Sequence, residues 1–527
     1  MGSENNISNA DESNRMWASA SFVGVLIIIG MPLWWKTTEV YRVSLPYEKI
    51  SSFKPLSHFV TTELKVLAND DATASKIVSE IQKAFAESDI IKIKIEKTVM
   101  SERQQHILRS VVDMEKAVEE LASTLDLDQE NIFHVVQKKS LSHNIWVGNE
   151  RIMFFDDEKA SETIVKALDG WIYQTSVLRG ARSDTPDQAR STRFPPESAY
   201  HITLSIVHPR PDTMQVVWNA AEAVEDYIGS FVDELSSLHN FTLKSQWLHL
   251  LDFEFQAREI KEASEWGRHF AVRQDRLSLL LTRLEERAAT HVSELSTINL
   301  ALYIVPCDKA PIIIYDNEGR KNPLSIQAFM SPKWGGVVIA SPPAEQCSQQ
   351  VREFEPSVGQ VMGAFVSHLR ELLGITKKDA IEGAHLEPLR SVSPRRWEVD
   401  ALLRIRTLEQ VTSAERTLQS LAQLLEEISN IVINDEVGAS IAAAVSELEA
   451  GAGEGAGADA ARAGRAHAHA QRAFTHPSLL ALLYFPDDQK YAIYIPLFLP
   501  IMFPVVLSLR ILLLWFMGKP VHKEKTD

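Results

Sequence analysis

Two closely spaced carboxylates are the first residues in this chain whose types and spacing could support chemistry. Asp126-Leu-Asp128 has the DxD pattern with which glycosyltransferases hold a metal-bound nucleotide. Two acids are a weak signal in a chain whose formal net charge is -16, and a solvated turn is the favoured interpretation. A transferase that uses these two carboxylates is the rival hypothesis.

Cysteine and glycine patterns offer less for catalysis. Cys307 could act as a nucleophile with one of the 16 histidines, but no local pattern supports this, and a buried structural cysteine is the default. Alternate glycines from Gly451 to Gly457 superficially resemble a phosphate-binding loop, yet no strand precedes them and the tract is of low complexity. The sequence has no GxSxG, HExxH or CxxC pattern. We therefore predict no catalytic residue, no cofactor and no metal site.

One motif predicts a covalent modification. Asn240-Phe-Thr242 is an N-glycosylation acceptor just after a predicted helix, and we expect it to carry a glycan if it is lumenal. Asn6-Ile-Ser8 also fits the motif, but its predicted position is cytosolic, so it should stay unmodified. Cys307 and Cys347 could pair in a lumenal region, although two cysteines make no disulfide framework and free buried thiols are the default.

Two long apolar stretches bound the rest of the chain. Met16–Trp35 lies near one terminus and Tyr491–Met517 near the other, and in the second only Ser508 and Arg510 are strongly polar. Crossing the hydrocarbon core takes roughly 20 residues, so we predict two transmembrane helices. The first ends in a tryptophan pair rather than a small-residue cleavage site, which indicates an uncleaved anchor.

Prolines mark the second predicted span. Pro496, Pro500 and Pro504 are four residues apart, so they share one face of a helix. Each lacks an N–H and crowds the carbonyl four residues earlier, and lipid cannot satisfy the carbonyls that this frees. We therefore predict a bent span packed against other protein, with a kinked anchor in lipid as the alternative. Arg510 either snorkels to the headgroups or meets an acidic group or a lipid phosphate in a complex.

Charges in the last residues predict the topology. Lys519, Lys523 and Lys525 follow the second span, so the positive-inside rule makes the tail at 518–527 cytosolic, together with the tail at 1–15. Lys523 and Lys525 also resemble a dilysine signal for retrieval to the endoplasmic reticulum, with plain flanking charge as the alternative. The region 36–490 is then lumenal.

Composition and patterning define the class of this region. Hydrophobic residues make up 45% and charged residues 24%, as in globular proteins, and the negative net charge excludes nucleic-acid binding. Alternating strand and helix patterns predict an α/β fold of mixed sheets with packed helices, in sub-units at roughly 58–180 and 198–375. A helical part at 395–485 follows, with a low-complexity Gly/Ala insertion at 450–470 that is expected to be flexible before it turns into helix.

Periodicity places the main elements within this frame. His58–Leu67 and Ile90–Glu96 alternate and predict strands, while Ala72–Ser88 and Val216–Leu238 have apolar residues at helical spacing. Arg396–Ile433 is one long amphipathic pattern. This last helix either packs on the α/β body or leads back towards the membrane.

The segments beside the two spans carry a specific resemblance. WWKTTEVYRVSLPY at Trp34–Tyr47 and SLLALLYFPDDQKYAIYIPLFLP at Ser478–Pro500 closely resemble the phosphatidylinositol-glycan class S (PIG-S) family. The layout of two spans around a large lumenal domain agrees with that family over essentially the whole length. The Gly/Ala tract at 450–470 departs from it and resembles a lineage-specific insertion.

The resemblance implies a non-catalytic subunit of the GPI transamidase in the endoplasmic reticulum membrane. That complex cleaves the C-terminal signal of a precursor protein and attaches a preformed GPI anchor. The implied partners are the class K subunit (a caspase-like cysteine protease that carries the chemistry), the class T and class U subunits, the GPI anchor attachment protein and membrane lipid. The rival hypotheses are a lumenal membrane-anchored transferase and a membrane tether or cargo receptor outside the transamidase.

Overall fold

The computed structural model divides the chain into two compact units, each described here by itself. It describes residues 2–183, 192–197, 199–236, 238–252, 257–261, 267–287, 295–324, 326–348, 352–428, 431–451, 460–479 and 487–517. The terminal unit comprises Met1–Ser52, Thr417–Ala443 and His469–Asp527. The α/β unit comprises Phe53–Arg416 and Ala444–Ala468.

Helices and strands alternate along the α/β unit, whereas the terminal unit is helical apart from one isolated β-bridge. The α-helices, in chain order, are α1 (Gly2–Val25), α2 (Met31–Thr38), α3 (Tyr47–Ser52), α4 (Asp71–Phe85), α5 (Glu102–Ser110), α6 (Met114–Ala122), α7 (Ser161–Ala167), α8 (Thr175–Arg182), α9 (Ala220–Ala223), α10 (Ser230–Asp233), α11 (Ser278–Arg287), α12 (Ala344–Cys347), α13 (Val358–Leu373), α14 (Arg396–Glu427), α15 (Asp435–Gly451), α16 (Ala460–Phe474) and α17 (Asp487–Phe516). The strands are β1 (Val60–Ala68), β2 (Ile91–Val99), β3 (Ile132–Gln137), β4 (Ile145–Val147), β5 (Ile152–Phe155), β6 (Ala199–His208), β7 (Gln215–Val216), β8 (Asn240–His249), β9 (Arg258–Lys261), β10 (Arg268–Arg273), β11 (Thr297–Ile304), β12 (Ile312–Tyr315), β13 (Gln327–Ser331), β14 (Gly335–Ala340), β15 (Glu353–Phe354) and β16 (Ala384–Leu386). There are also helical turns of the π type. Leu26–Gly30 links α1 to α2, Leu168–Tyr173 follows α7, and Val224–Gly229 links α9 to α10.

The first sheet of the α/β unit has the strand order β16-β4-β5-β3-β1-β2. Strands β2, β1, β3 and β5 are parallel, β4 is antiparallel to β5, and β16 adds to β4 in parallel. The inner strands β3 and β5 are buried along their whole length, as expected for parallel strands covered on both faces. The edge strand β2 instead alternates isoleucine and lysine, so that lysines point to solvent.

The second sheet repeats this topology. Its order is β13-β14-β11-β6-β8, in which β8, β6, β11 and β14 are parallel and β13 is antiparallel to β14. The corresponding strands in the two sheets are β1 and β6, β2 and β8, β3 and β11, β4 and β13, and β5 and β14. The α/β unit therefore contains two halves of one architecture, with a small sheet of β12-β10-β9 inserted in the second half.

One glycine at the start of β14 shows how closely the strands approach. Gly335 has φ +149°, and a Cβ built on it would lie 1.7 Å from the carbonyl oxygen of Asn299 in β11. Any side chain here would push β14 away from its parallel neighbour, so the position requires glycine.

Each sheet buries apolar residues on both faces. On one face of the first sheet, α4, α7 and α8 form a core with Trp171 and Tyr173, and on the other α5 and α6 pack on Phe154 and Trp146. One face of the second sheet packs on α10 and α13, and the other on α11 and the small sheet. Both sheets are therefore central layers.

Helix α14 contributes to the cores of both halves. Trp397, Ile405 and Leu408 belong to the core of the first half, while Leu402 belongs to that of the second. Trp397 is fully buried, and its indole N–H donates to the carbonyl of Gly148 at 2.9 Å. The first part of α14 is thus a shared core element of the two halves.

The terminal unit holds both ends of the chain. Helix α1 contacts α17, and Val23 and Val505 are buried in that unit. Residues 13–36 form one helical stretch long and apolar enough to cross a membrane, and in α17 the corresponding apolar stretch among the described residues is the shorter Met502–Phe516. Arg42 forms an isolated parallel bridge with Ile433.

Most predicted elements are present, with shifted ends. The strands predicted at His58–Leu67 and Ile90–Glu96 are β1 and β2, and the helix at Ala72–Ser88 is α4, which Asp70 caps by accepting the Thr73 N–H at 2.8 Å. The helix predicted at Val216–Leu238 was wrong at its start: β7 ends at Val216, and the helix begins at Ala220, where Asn219 caps it. The mixed α/β fold is confirmed.

Candidate functional site

The paired carboxylates of the sequence lie in the connection between α6 and β3. Both Asp126 and Asp128 are exposed. Arg396 donates through Nη1 to Oδ1 of Asp128 at 2.6 Å, with the two side chains 45% and 85% exposed. Within the described ranges, no group of three or more His, Cys, Asp or Glu residues is placed to hold a metal ion. The geometry is that of a surface ion pair, and it gives a nucleotide-bound metal no support.

Open α/β sheets bind ligands beyond the carboxyl ends of their strands, at the point where the strand order reverses. In the first sheet this point lies between β1 and β3, and polar groups of the protein itself hydrogen bond there. A groove of about 400 Å³ lies there, lined by residues that include Asn69, Gln137 and Lys138. The Lys138 ammonium donates to the carbonyls of Leu108 (2.6 Å) and Val111 (2.7 Å) near the end of α5, and burial lowers the Lys138 pKa.

The N-terminus of α4 beside this groove is also filled. The Asp70 carboxylate accepts hydrogen bonds from Thr73, and these bonds lower the Asp70 pKa, so the carboxylate stays charged. A phosphate at this helix end would meet a negative charge. The two features that hold phosphate in dinucleotide-binding folds, a glycine-rich turn and a free helix N-terminus, are therefore not available after β1.

The two cysteines form a disulfide. Cys307 follows β11 and Cys347 ends α12, with their Cα atoms 5.5 Å apart. The default expectation of free buried thiols was wrong, because the connection after β14 returns α12 to the end of β11. Such a bond is typical of chains that fold in an oxidising compartment.

The glycosylation acceptor lies on an edge strand. Asn240 is the first residue of β8, pairs only with Ala199 of β6, and is exposed. Thr242, two residues on, is exposed as well and projects on the same side of the strand. The acceptor nitrogen is therefore accessible to solvent.

The three prolines lie inside α17 and are all exposed. Among the side chains of this helix that the structure describes, Val505 is the buried one. At about 100° per residue, Pro496, Pro500 and Pro504 are turned away from Val505 by roughly 100 to 180°. We call these three residues the proline face. Arg510 is also exposed, while Lys523 and Lys525 lie outside the described residues.

Helix α14 carries several buried charged residues that no sequence motif marks. Arg404 is 4% exposed and donates to Asn131 Oδ1 (3.1 Å) and the Ile172 carbonyl (2.8 Å), both in the first half. Arg406 is 2% exposed and donates to the carbonyls of Phe194 and Leu373 in the second half, both at 3.0 Å. Two arginines of one helix thus hydrogen bond to opposite halves.

Carboxylates on the same helix balance part of this charge. Asp400 accepts two hydrogen bonds from Arg151, at 2.6 and 2.7 Å, and both side chains are buried. Glu409 pairs with Arg193 at 2.8 Å and with Arg406 at 3.2 Å. We call the α14 residues Asp400, Arg404, Arg406 and Glu409 the polar staple. A signal for it existed in the sequence, because α14 carries charges all round and not only on one face.

Known proteins are similar to this chain over nearly its whole length. The family described as phosphatidylinositol-glycan biosynthesis class S protein matches residues 21–517. The human protein named "GPI-anchor transamidase component PIGS" is 31% identical, over 97% of this chain and 97% of its own length. The rat protein of the same name is also 31% identical, over 93% of this chain and 94% of its own.

A fungal relative extends the similarity to a distant lineage. The protein named "GPI transamidase component GPI17" of Saccharomyces cerevisiae is 23% identical, over 92% of this chain and 90% of its own length. The family match covers nearly the whole chain, including residues 21–36 of the apolar helical stretch near the N-terminus and all of α17. This chain belongs to the phosphatidylinositol-glycan class S family.

Proposed function

We propose that this protein is a non-catalytic scaffold subunit of the GPI transamidase. The observation that carries the proposal is the end-to-end match to relatives named as components of that enzyme. Because the match extends over whole chains, it favours a shared role in the complex over the sharing of a single domain. The catalytic cysteine protease is then another chain, the class K subunit, and the remaining partners are the class T and class U subunits and the GPI anchor attachment protein.

The proposed location is the endoplasmic reticulum membrane, with the α/β unit in the lumen. The helical stretch at 13–36 supports the first anchor, and α17, with its apolar stretch at Met502–Phe516, supports the second. The Cys307–Cys347 disulfide supports the lumenal side, because such bonds are rare in the cytosol. Both tails are then cytosolic, where Lys523 and Lys525 act as a retrieval signal.

The proline face supports a role in assembly within the membrane. Prolines at these positions leave the carbonyls of residues 492, 496 and 500 without their usual helical donors. In a bilayer those carbonyls need donors from protein or trapped water, and the buried position Val505 is on another side of α17. A helix of a partner subunit fits this requirement. Arg510, further along the exposed surface, meets headgroups or an acidic group of the same partner.

The polar staple supports the scaffold role in the lumen. A scaffold that positions partners must keep its own surfaces at fixed separations, because a rigid tether raises the effective concentration of what it joins. Arg404 and Arg406 attach α14 to opposite halves of the α/β unit with buried hydrogen bonds. The two halves therefore present their surfaces as one body.

Affinity purification of the tagged full chain in mild detergent tests this function. The expected result is recovery of a caspase-like peptidase with the other transamidase subunits, and no GPI-attachment activity from the chain purified alone. Asp126→Ala/Asp128→Ala is the matched control, because the surface pair should be dispensable for GPI-protein display. Recovery of the chain alone or with unrelated partners would refute the proposal, and loss of display in the control would favour the transferase.

A further inference from the structure

A cavity lies beside the glycosylation acceptor. It has a volume of about 380 Å³ and opens between the residues that lead into β8, helix α14 and the first two turns of α16. Small residues of α16 form one side, and polar side chains form the other. Its lining includes Asn240, His239, Arg406, Gln410, Ala461 and Gly464. Its volume falls in the range of ligand sites, roughly 300–1,000 Å³.

Two buried side chains in its wall have unused hydrogen-bonding atoms. His239 is 3% exposed and Arg406 is 2% exposed. Within the described part of the chain, three of their atoms make no hydrogen bond of normal geometry: both ring nitrogens of His239 and the Nε of Arg406. Leaving such atoms unsatisfied in a buried site is energetically unfavourable. A polar occupant of the cavity, either water or a ligand, would satisfy them.

The wall offers both charged and neutral hydrogen-bonding groups. Burial lowers the pKa of His239 to about 3, so its imidazole is neutral and offers one donor and one acceptor. Arg406 shares the Glu409 carboxylate, at 3.2 Å, with the buried Arg193, which lies at 2.8 Å from it. Arg465, which also lines the cavity, pairs with Glu447 at 2.9 Å. Gln410 donates its amide to the Pro196 carbonyl and keeps its amide oxygen towards Gly464. Donors and acceptors next to a surface of alanine and glycine match the hydroxyl groups and the apolar ring face of a sugar.

We propose that this cavity binds carbohydrate, and that its occupant is the first sugars of a glycan attached to Asn240. The acceptor is itself part of the wall, so a sugar bonded to its side chain enters the cavity without crossing free solvent. The inference rests on the proposed lumenal location, because only there is Asn240 glycosylated. A seated glycan joins the start of β8 to α16 and satisfies His239 and Arg406.

The test uses the full chain, purified with its copurifying partners in mild detergent. Peptide mass spectrometry first gives the occupancy of Asn240, and an endoglycosidase then removes the glycan from native and from denatured protein. Release from the native protein should be at least about tenfold slower, since a buried sugar is released only after local opening. Equal rates would overturn the proposal.

Two variants separate the cavity from general shielding by partners. Gly464→Leu fills the cavity, since a Cβ there meets only Gln410 at about 3.7–4.0 Å, and it should raise the native release rate to near the denatured rate. Gly363→Leu in α13 is the matched control, because a Cβ there meets nothing within 4 Å, and it should leave the rate unchanged. The same slow release in both variants would overturn the proposal.

Removal of the acceptor motif identifies the source of the sugar. Thr242→Ala abolishes glycosylation, and hydrogen exchange at the amides of 460–468 should become about tenfold faster. Unchanged exchange that slows only on addition of N-acetylglucosamine or mannose would overturn the assignment to the chain's own glycan in favour of a sugar from another molecule. An unmodified Asn240 in a chain that still copurifies with the transamidase would refute this inference and leave the proposed function standing.

Discussion

Removing the charge of Asp400 should test the polar staple directly. Arg151 precedes β5 in the first half, and its Nε and Nη2 donate to the two carboxylate oxygens of Asp400. Its Nη1 donates to the carbonyls of Leu127 and Asp128, so the guanidinium is held on all sides. Asp400→Asn keeps the shape of the side chain, but it puts an amide N–H where a lone pair was and leaves a buried cation without its partner.

The expected loss follows from the burial of both groups. At roughly 4 Å between charge centres and an effective dielectric constant of about 20, the attraction is about 4 kcal/mol. Breaking a buried pair by removing one partner costs about 3–5 kcal/mol. We therefore expect Asp400→Asn to lower the free energy of unfolding by about 3–5 kcal/mol. Arg151→Met/Asp400→Leu, which removes both charges, should recover most of this loss.

Urea unfolding of the full chain in mild detergent, followed by tryptophan fluorescence, measures these changes. Trp146, Trp171 and Trp397 are buried in the first half and report on its core. Glu115→Gln is the control, because Glu115 pairs with Arg390 at the surface, where loss of an ion pair costs about 0.2–1 kcal/mol. A loss for Asp400→Asn no larger than that of the control would refute the assignment of α14 as a staple between the halves.

Three further changes probe other features. Leucine at all three positions of the proline face should leave the chain in the membrane but reduce copurification of its partners several-fold, and intact assembly would contradict the packing role. Cys307→Ala/Cys347→Ala should lower the free energy of unfolding by about 2–4 kcal/mol, with no change expected on reduction of the variant. Burial lowers the pKa of His134 to about 4, against about 6.5 when unfolded, so the unfolded chain binds the extra proton and stability falls as pH drops below 6.5. Between pH 7 and pH 5 this lowers the free energy of unfolding by about 2 kcal/mol. His134→Gln should remove this loss, whereas His106→Gln, at an exposed site, should not.

Elements with a strong local period were predictable from the sequence. Strand β2 alternates isoleucine and lysine because one side faces α4 and the other solvent, and that pattern is complete within nine residues. Strands β4 and β16 have three residues each, too few to show a period. Their pairing joins segments far apart in the chain, and no local pattern encodes a partner. The repeated topology of the halves was hidden for the same reason, since it consists of pairings.

The sequence did not predict the polar staple because its charged residues are buried, whereas the charged residues of a helix usually lie on its exposed face. Arg404 and Arg406 lie among the apolar residues that identified the long helix, and an amphipathic pattern does not distinguish a buried arginine from a solvent-facing one. Only the arrangement of backbone carbonyls around them, at Ile172 and Leu373, makes their burial tolerable. The acceptor Asn240, in contrast, was predictable because N-glycosylation depends on a motif of three consecutive residues. Its place in an edge strand was not predictable.

The late position of β16 and α14 in the chain has a consequence for biosynthesis. A nascent chain that emerges from the ribosome produces the first half long before these two segments. Until they arrive, β4 has an open edge and the site of Trp397 is empty, so the first half waits in an unfinished, aggregation-prone state. A premature stop codon shortly before residue 384 would remove β16 and α14 together, and such a product should be a substrate for quality control even though it contains the other strands.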